Sequence, residues 1–333
     1  MSLPALQALR ERFPDSHIAV LARPWVADIY ARESFANEVI PYTSPRGWKD
    51  LRGKWRIAQE LRARSFDTAI LLPNAFEAAA LVALAGIPRR IGYARDGRGF
   101  LLTSAIAVPK PGEIPPHERF YYLELLRRAG IIGRLPDSGQ IRLGGAHVAR
   151  AAGMERFKEL SFDRVTGVSP GAAFGTAKRW LPERFAEAVA QIGNPAALFG
   201  SKDERALCEN IAEDLRHRGV PVHNFAGETT LNQYIELAAA CDVYLTNDSG
   251  SMHIASAFNV PTVAVFGATD HIGTGPTGEL ARVVREQVEC SPCLLRECPI
   301  DHRCMKAVTA DRVVREAREL ISLARQSASD RPS

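Results

Sequence analysis

What most constrains the fold of this chain is a rhythm. Short apolar runs that do not alternate with polar residues recur between longer stretches with helical spacing. Residues 17–22, 68–72 and 90–93 are such runs in the first half, and residues 164–169, 195–199, 222–225, 242–246 and 262–266 in the second. A strand that is apolar on both faces must be covered on both, as in a parallel sheet with crossover helices. The helical stretches between them, such as 25–32, 55–64, 182–192, 203–218, 231–240 and 251–258, supply those covers. The sequence therefore predicts an α/β protein with two Rossmann-like domains. Residues 1–145 form the first and 146–308 the second. Residues 309–333 give an amphipathic C-terminal helix to about 323 and then a polar, disordered tail. Residues 95–118, rich in Gly, Pro and Arg, read as a long loop.

The 333 residues suit two domains. No apolar run approaches the ~18 residues of a membrane span, and the first ten residues lack the basic start and apolar core of a signal peptide. A cytoplasmic protein is expected. The net charge of +4 is uneven. Residues 1–150 carry 22 Lys/Arg against 14 Asp/Glu, while residues 151–333 carry 20 against 24. A basic first half fits an anionic partner such as a membrane surface, a phosphorylated lipid or a nucleic acid, or serves solubility alone.

Four places carry chemistry. The run Asn247-Asp248-Ser249-Gly250, with His253 three residues on, follows an apolar strand and opens a helix. The C-terminal ends of parallel strands are where α/β sheets bind ligands. Free N–H groups of the next helix can receive phosphate there, Ser249 adds a hydroxyl, and Gly250 permits close approach. Lys178 stands in a glycine-containing loop after the strand at 164–169 and can meet an anion. Asn74 and Glu77 follow the strand at 68–72, with Arg90, Arg95 and Arg98 nearby as forks for a carboxylate or phosphate. Last, Cys290, Cys293, Cys298 and Cys304 form a C-x2-C-x4-C-x5-C cluster. Such spacing is open to a structural zinc site, to redox-active thiols or to chance clustering. Neither glycine-containing loop matches G-x-G-x-x-G or G-x-x-x-x-G-K-[ST], so hydride transfer and ATP hydrolysis lack their usual support.

Several segments together resemble the lipopolysaccharide heptosyltransferases of glycosyltransferase family 9. They are Pro170-Gly171-Ala172 through Lys178-Arg179-Trp180, Phe199-Gly200-Ser201, Phe225 through Leu231, Thr246 through Ala255, Pro261 through Gly267 and the cysteine segment. Leu71-Pro73-Asn74-Ala75-Phe76 and residues 86–92 extend the likeness into the first half. The resemblance implies the two-domain GT-B architecture and an inverting transfer that requires no cofactor. The second domain would bind ADP-heptose, with Lys178 neutralising the leaving ADP. Asp248, Ser249, Gly250 and His253 would hold the donor, and Thr229 or Thr230 would line its nucleoside. The first domain would receive the lipopolysaccharide inner core at the inner membrane surface, which leaves no role for nucleic acid. Within the family, the resemblance favours members that act on the first heptose. Members acting on the Kdo–lipid A acceptor are the nearer alternative, and a silent sugar-nucleotide-binding or scaffold protein the farther one.

Two departures stand out. Family members place a strand and a loop ending in Gly-Asp before the helix matched here by residues 2–12, and that aspartate is the expected general base. It has no counterpart here. A start recorded too far downstream is the expected cause, and a truncated chain of impaired activity the alternative. Ala173-Phe174 also stands where some relatives carry hydroxyl side chains.

Overall fold

A computed structural model describes residues 1–43 and 49–329, and the chain divides into two compact units, residues 1–139 and 140–333. The division falls six residues before the boundary read from sequence, inside the stretch of poor periodicity.

The first unit runs α1 (Leu3–Arg12), β1 (Ala19–Ala22), α2 (Pro24–Ala31), β2 (Glu38–Pro41), α3 (Leu51–Ala63), β3 (Thr68–Leu71), α4 (Phe76–Leu84), β4 (Arg89–Tyr93), β5 (Ser104–Ile106) and α5 (Glu118–Arg128). All pairings are parallel, but the strands lie in two sheets, β1-β2 and β3-β4-β5. A cavity of about 1330 Å³ is lined by both β1 and β3, with Leu6, Leu9 and Ile40 among its apolar walls. The core beside it gathers Ile57, Ala58 and Leu61 of α3 with Leu81 and Val82 of α4. The stretch 95–118, expected as a loop throughout, contains β5 and a single helical turn at Gly99–Leu101.

The second unit runs α6 (Ala146–Glu159), β6 (Thr166–Ser169), α7 (Pro182–Ile192), β7 (Ala196–Leu198), α8 (Arg205–His217), β8 (Val222–Asn224), α9 (Leu231–Ala240), β9 (Val243–Asn247), α10 (Gly250–Ala257), β10 (Thr262–Val265), α11 (His271–Thr274), β11 (Ala281–Val284), α12 (Arg303–Lys306) and α13 (Ala310–Ser329). Its sheet is wholly parallel, in the order β8-β7-β6-β9-β10-β11. Residues of β10 and Phe266 just after it alternate between two apolar layers. Val263 and Val265 join the large core with Phe185 of α7, Ile211 of α8 and Val313 of α13, while Ala264 and Phe266 meet Met252 of α10. Both faces are thus dry, which is why these strands read as unbroken apolar runs.

Local chemistry sets the helix ends. Pro182 and Glu183 open α7, and Gly193, in the left-handed conformation, closes it. Thr230 and Gln233 form a capping box at the head of α9. The final helix extends beyond the expected end at 323. It continues to Ser329 because Val313, Val314, Ala317 and Leu320 anchor it in the core and its last turns propagate from that anchor. The last four residues of the expected tail lie outside the described residues.

Candidate functional site

Along the second sheet the chain leaves β6 for β7 and β8 on one side. It then returns to β9 and proceeds outward to β10 and β11. The winding reverses between β6 and β9. Loops at the C-terminal ends of two such strands diverge and leave a crevice. Here they are residues 170–180 after β6 and residues 248–249 after β9.

One side chain fastens the two loops. Asn247, at the end of β9, is fully buried and donates through Nδ2 to the Pro170 carbonyl (2.7 Å), while its Oδ1 accepts from the Trp180 amide (2.9 Å). The ends of the β6 loop are thereby tied to the tip of β9. Below lies a buried hydroxyl relay. Tyr244 OH meets Ser169 Oγ at 2.7 Å and Tyr234 OH at 2.9 Å, linking β6, β9 and α9. Burial pushes the Tyr234 phenol up to about 12 and that of Tyr244 well above its ordinary value, so both stay neutral.

The charge of the site comes next. Asp248 is 7 % exposed and its Oδ2 accepts from Lys178 Nζ at 2.6 Å and from Thr269 Oγ1 at 2.7 Å. Lys178 also lies 4.9 Å from the centre of the Phe174 ring, with Arg296 at 5.0 Å from the same ring. The ammonium is therefore held across the crevice. Arg296 adds a second contact, since its carbonyl accepts from the Ala177 amide at 3.0 Å. A Cβ at Gly175 would meet that carbonyl at 2.1 Å, so only glycine fits. The cysteine segment is thus the wall against which the Lys178 loop is built.

Helix α10 supplies the anion-receiving end. Ser249 occupies the N-cap in extended conformation, yet its side chain makes no capping hydrogen bond and instead meets Thr246 Oγ1 at 3.2 Å. The first N–H groups of α10 have no side-chain cap and point where the helix dipole favours negative charge. A Cβ at Gly250 would meet nothing within 4 Å. That glycine faces open space, and nothing in the protein's own packing demands it. His253 stands half-buried in the first turn. Thr229 is half-buried and Thr230 exposed, and the Thr230 hydroxyl serves the cap of α9 by accepting from Gln233 N at 3.3 Å.

The acceptor-side candidates separate into two groups. Glu77, at the head of α4, is a charge centre. It accepts from Tyr42 OH and lies 3.5 Å from Lys54 Nζ and 3.8 Å from Arg23. Asn74 donates to Tyr121 OH at 2.9 Å, and Arg95 is exposed beside Asp96. Arg98 and Arg90 turn inward, contrary to expectation. Arg98 is fully buried and donates to the carbonyls of Tyr93, Pro73 and Ala75 and to Asn74 Oδ1. Arg90 donates to the carbonyls of Leu101 and Ile87 near the N-terminal end of β4. Backbone carbonyls of loops and strand ends attract a guanidinium fork as readily as a ligand would. Sequence reasoning missed Arg23, Tyr42, Lys54 and Thr269, which have no local motif and meet their partners only through folding.

All six cysteines are free thiols. Among the described residues, no three His, Cys, Asp or Glu side chains converge as a metal-holding group. Cys298 Sγ accepts from the His302 amide, and the Cys304 thiol is pushed up by burial, with Cys290, Cys293 and Cys298 adding to the shift.

The chain is similar to known proteins. The profile of glycosyltransferase family 9 (heptosyltransferase) matches residues 54–303. The lipopolysaccharide heptosyltransferase 2 of Escherichia coli K12 is 34 % identical over 293 residues, 86 % of this chain and 84 % of that protein. The lipooligosaccharide heptosyltransferase 2 of Haemophilus ducreyi is 30 % identical over 352 residues, covering 97 % and 95 %. The solved structure of E. coli ADP-heptose lps heptosyltransferase II superposes with a TM-score of 0.82 at 30 % identity, covering 97 % of this chain and 95 % of that one. With parallel strands in both units, a site at the switch of strand order and these relatives, the chain is a glycosyltransferase and belongs to family 9, the heptosyltransferases.

Proposed function

We propose that the protein transfers L-glycero-D-manno-heptose from ADP-heptose, with inversion, to the first heptose of the lipopolysaccharide inner core at the cytoplasmic face of the inner membrane. The observation that carries this reading is the Lys178–Asp248 pair, set across the strand-order switch beside the uncapped head of α10. The names borne by the relatives support the donor and the choice of acceptor.

As the glycosidic bond to the diphosphate breaks, negative charge grows on the leaving oxygen. Lys178 is the fixed cation that answers it, and the α10 amides receive the phosphate oxygens. Asp248 cannot touch phosphate without repulsion. Its work is to aim Lys178 and, through Thr269, to fix the loop. In this reading the charge is carried without a metal ion. The attacking hydroxyl must lose its proton to a base. Glu77 is engaged by Tyr42, Lys54 and Arg23, so it is assigned to positioning the acceptor and not to proton removal.

The test is transfer from ADP-heptose to two defined acceptors, one ending in the first heptose and one ending in Kdo, in the presence of a chelator. Heptose added to the first acceptor alone is the expected result. Transfer to the Kdo acceptor alone, or a requirement for divalent metal, overturns the corresponding part of the reading.

A further inference from the structure

The charge of the donor crevice does not balance without one more cation. A nucleotide-sugar diphosphate brings a negative charge on each phosphate, and each must be answered once water leaves. Lys178 brings a positive charge, but Asp248 at 2.6 Å cancels it. The head of α10 adds about half an elementary charge. The loop after β6 offers no side-chain donor ahead of Gly175, since residues 170–174 are Pro, Gly, Ala, Ala and Phe.

Phe174 marks where that cation stands. Its ring is 39 % exposed in the loop that carries Lys178, and an aromatic face attracts cations. Lys178 Nζ lies 4.9 Å from the ring centre and the Arg296 guanidinium carbon 5.0 Å from it, so the two charges flank one point at the mouth of the crevice. They differ in what else they hold. Lys178 is committed to Asp248. The exposed Arg296 guanidinium makes no hydrogen bond or ion pair among the described residues, not even with Glu297 beside it in sequence. Its fork is therefore uncommitted, yet its backbone is fixed. The Arg296 carbonyl accepts from the Ala177 amide at 3.0 Å and fills the space beside Gly175. The Leu294 amide donates to the Ala268 carbonyl at 2.7 Å. Farther back, Ser291 Oγ donates to the Gly267 carbonyl at 2.6 Å, and a Cβ at Gly267 would meet Cys304 Sγ at 2.7 Å. The cysteine segment is thus a strap held at both ends against Gly267, just past β10, and Arg296 rides on its outer turn.

We propose that Arg296 is a donor-binding residue, whose guanidinium, seated on Phe174, grips the diphosphate of the nucleotide sugar alongside Lys178. The proposal rests on the reading of a nucleotide-sugar donor and adds a residue to it. It also gives the cysteine segment a task that needs no metal, which is to carry this arginine to the crevice. The two cations divide the work. A planar fork free of any carboxylate binds phosphate oxygens equally before and after transfer. Lys178 answers the charge that grows as the bond breaks. Arg296 therefore acts on donor affinity and Lys178 on turnover.

The experiment is calorimetric titration of the full chain with ADP, GDP, UDP and adenosine, together with transfer kinetics. Arg296→Ala is expected to weaken the tightest nucleoside diphosphate about tenfold and to leave adenosine and the melting temperature unchanged. Arg296→Lys keeps the charge without the fork, and its loss should be about threefold. Donor KM should rise about tenfold in Arg296→Ala with kcat within about twofold of the parent. Diphosphate affinity should also depend less steeply on salt in Arg296→Ala than in the parent. Unchanged diphosphate affinity in Arg296→Ala overturns the proposal. So does an equal loss of diphosphate and adenosine, which would make Arg296 a structural part of the strap. The donor reading fails separately. Tighter binding of UDP or GDP than of ADP would sink the ADP assignment, while the role of Arg296 is still read on whichever diphosphate binds best.

Discussion

The sharpest test of the donor site is a double-mutant cycle on Lys178 and Asp248. The two side chains are 14 % and 8 % exposed and meet at 2.6 Å. Breaking a fully buried pair from one side costs about 3–5 kcal/mol, because the remaining charge is left without its partner. Asp248 keeps the Thr269 hydroxyl, so the lower end applies. Lys178→Met should therefore destabilise the second unit by about 3 kcal/mol, a fall of roughly 6–12 °C in its melting temperature for a unit of this size. Adding Asp248→Asn removes the stranded charge and should restore stability to within about 1 kcal/mol. Turnover should behave differently. Loss of one preorganised charge at a developing anion lowers kcat/KM by about 10²–10³, and no change at position 248 returns a cation to the leaving diphosphate. The assay is calorimetry and ADP release on all four proteins. Recovery of turnover together with stability in the double mutant would refute the leaving-group role and reduce Lys178 to a structural partner of Asp248. An unchanged melting temperature in Lys178→Met would refute the claim that the pair holds the crevice together.

Other consequences can be checked directly. Asn247→Ala leaves the buried Trp180 amide and Pro170 carbonyl without partners. It should cost about 2–4 kcal/mol and loosen donor binding, measurable by calorimetry and ADP titration. Glu124 is 1 % exposed and accepts from Arg127 and Arg128, which hold its carboxyl below the ordinary value of 4.5. Its contribution to stability is complete above that value and is lost as pH falls through the lowered one. Melting from about pH 6 to 3 should show this slope, and Glu124→Gln should flatten it. Burial pushes the Cys208 thiol up to about 12 and that of Cys241 well above its ordinary value, whereas Cys290, Cys293 and Cys298 are half-buried. A thiol-specific reagent at neutral pH should modify those three first and reach Cys208 and Cys241 only on unfolding. Zinc bound by the segment would hide these thiols until a chelator is added, so equal reactivity with and without chelator would end that expectation.

Most strands and helices of the second unit were legible because each is a local pattern, while β11 and the one-turn helices α11 and α12 were not read. An apolar run such as residues 262–266 needs cover on both faces whatever surrounds it, and Thr230 with Gln233 caps a helix within four residues. The junction at Asn247-Asp248-Ser249-Gly250 was legible for the same reason, since strand, turn and helix start are contiguous. Three features could not be read this way. Strand β5 has only three residues and joins its sheet through β4, so no periodicity announces it. The parting of the first unit's strands into two sheets depends on which edges meet, and hydrophobic pattern alone does not encode that.

The third feature is partner choice. An arginine or lysine in a loop looks alike in sequence whether it awaits a ligand or closes a hydrogen bond inside the protein. Only folding turned Arg98 onto buried carbonyls, gathered Arg23, Lys54 and Tyr42 on Glu77, and locked Lys178 to Asp248. The sequence by itself determined most of the elements, the family resemblance and the residue types available for an anionic ligand. The tertiary structure decided which charges are spent within the protein and which face outward, because that choice is made by neighbours tens of residues away along the chain.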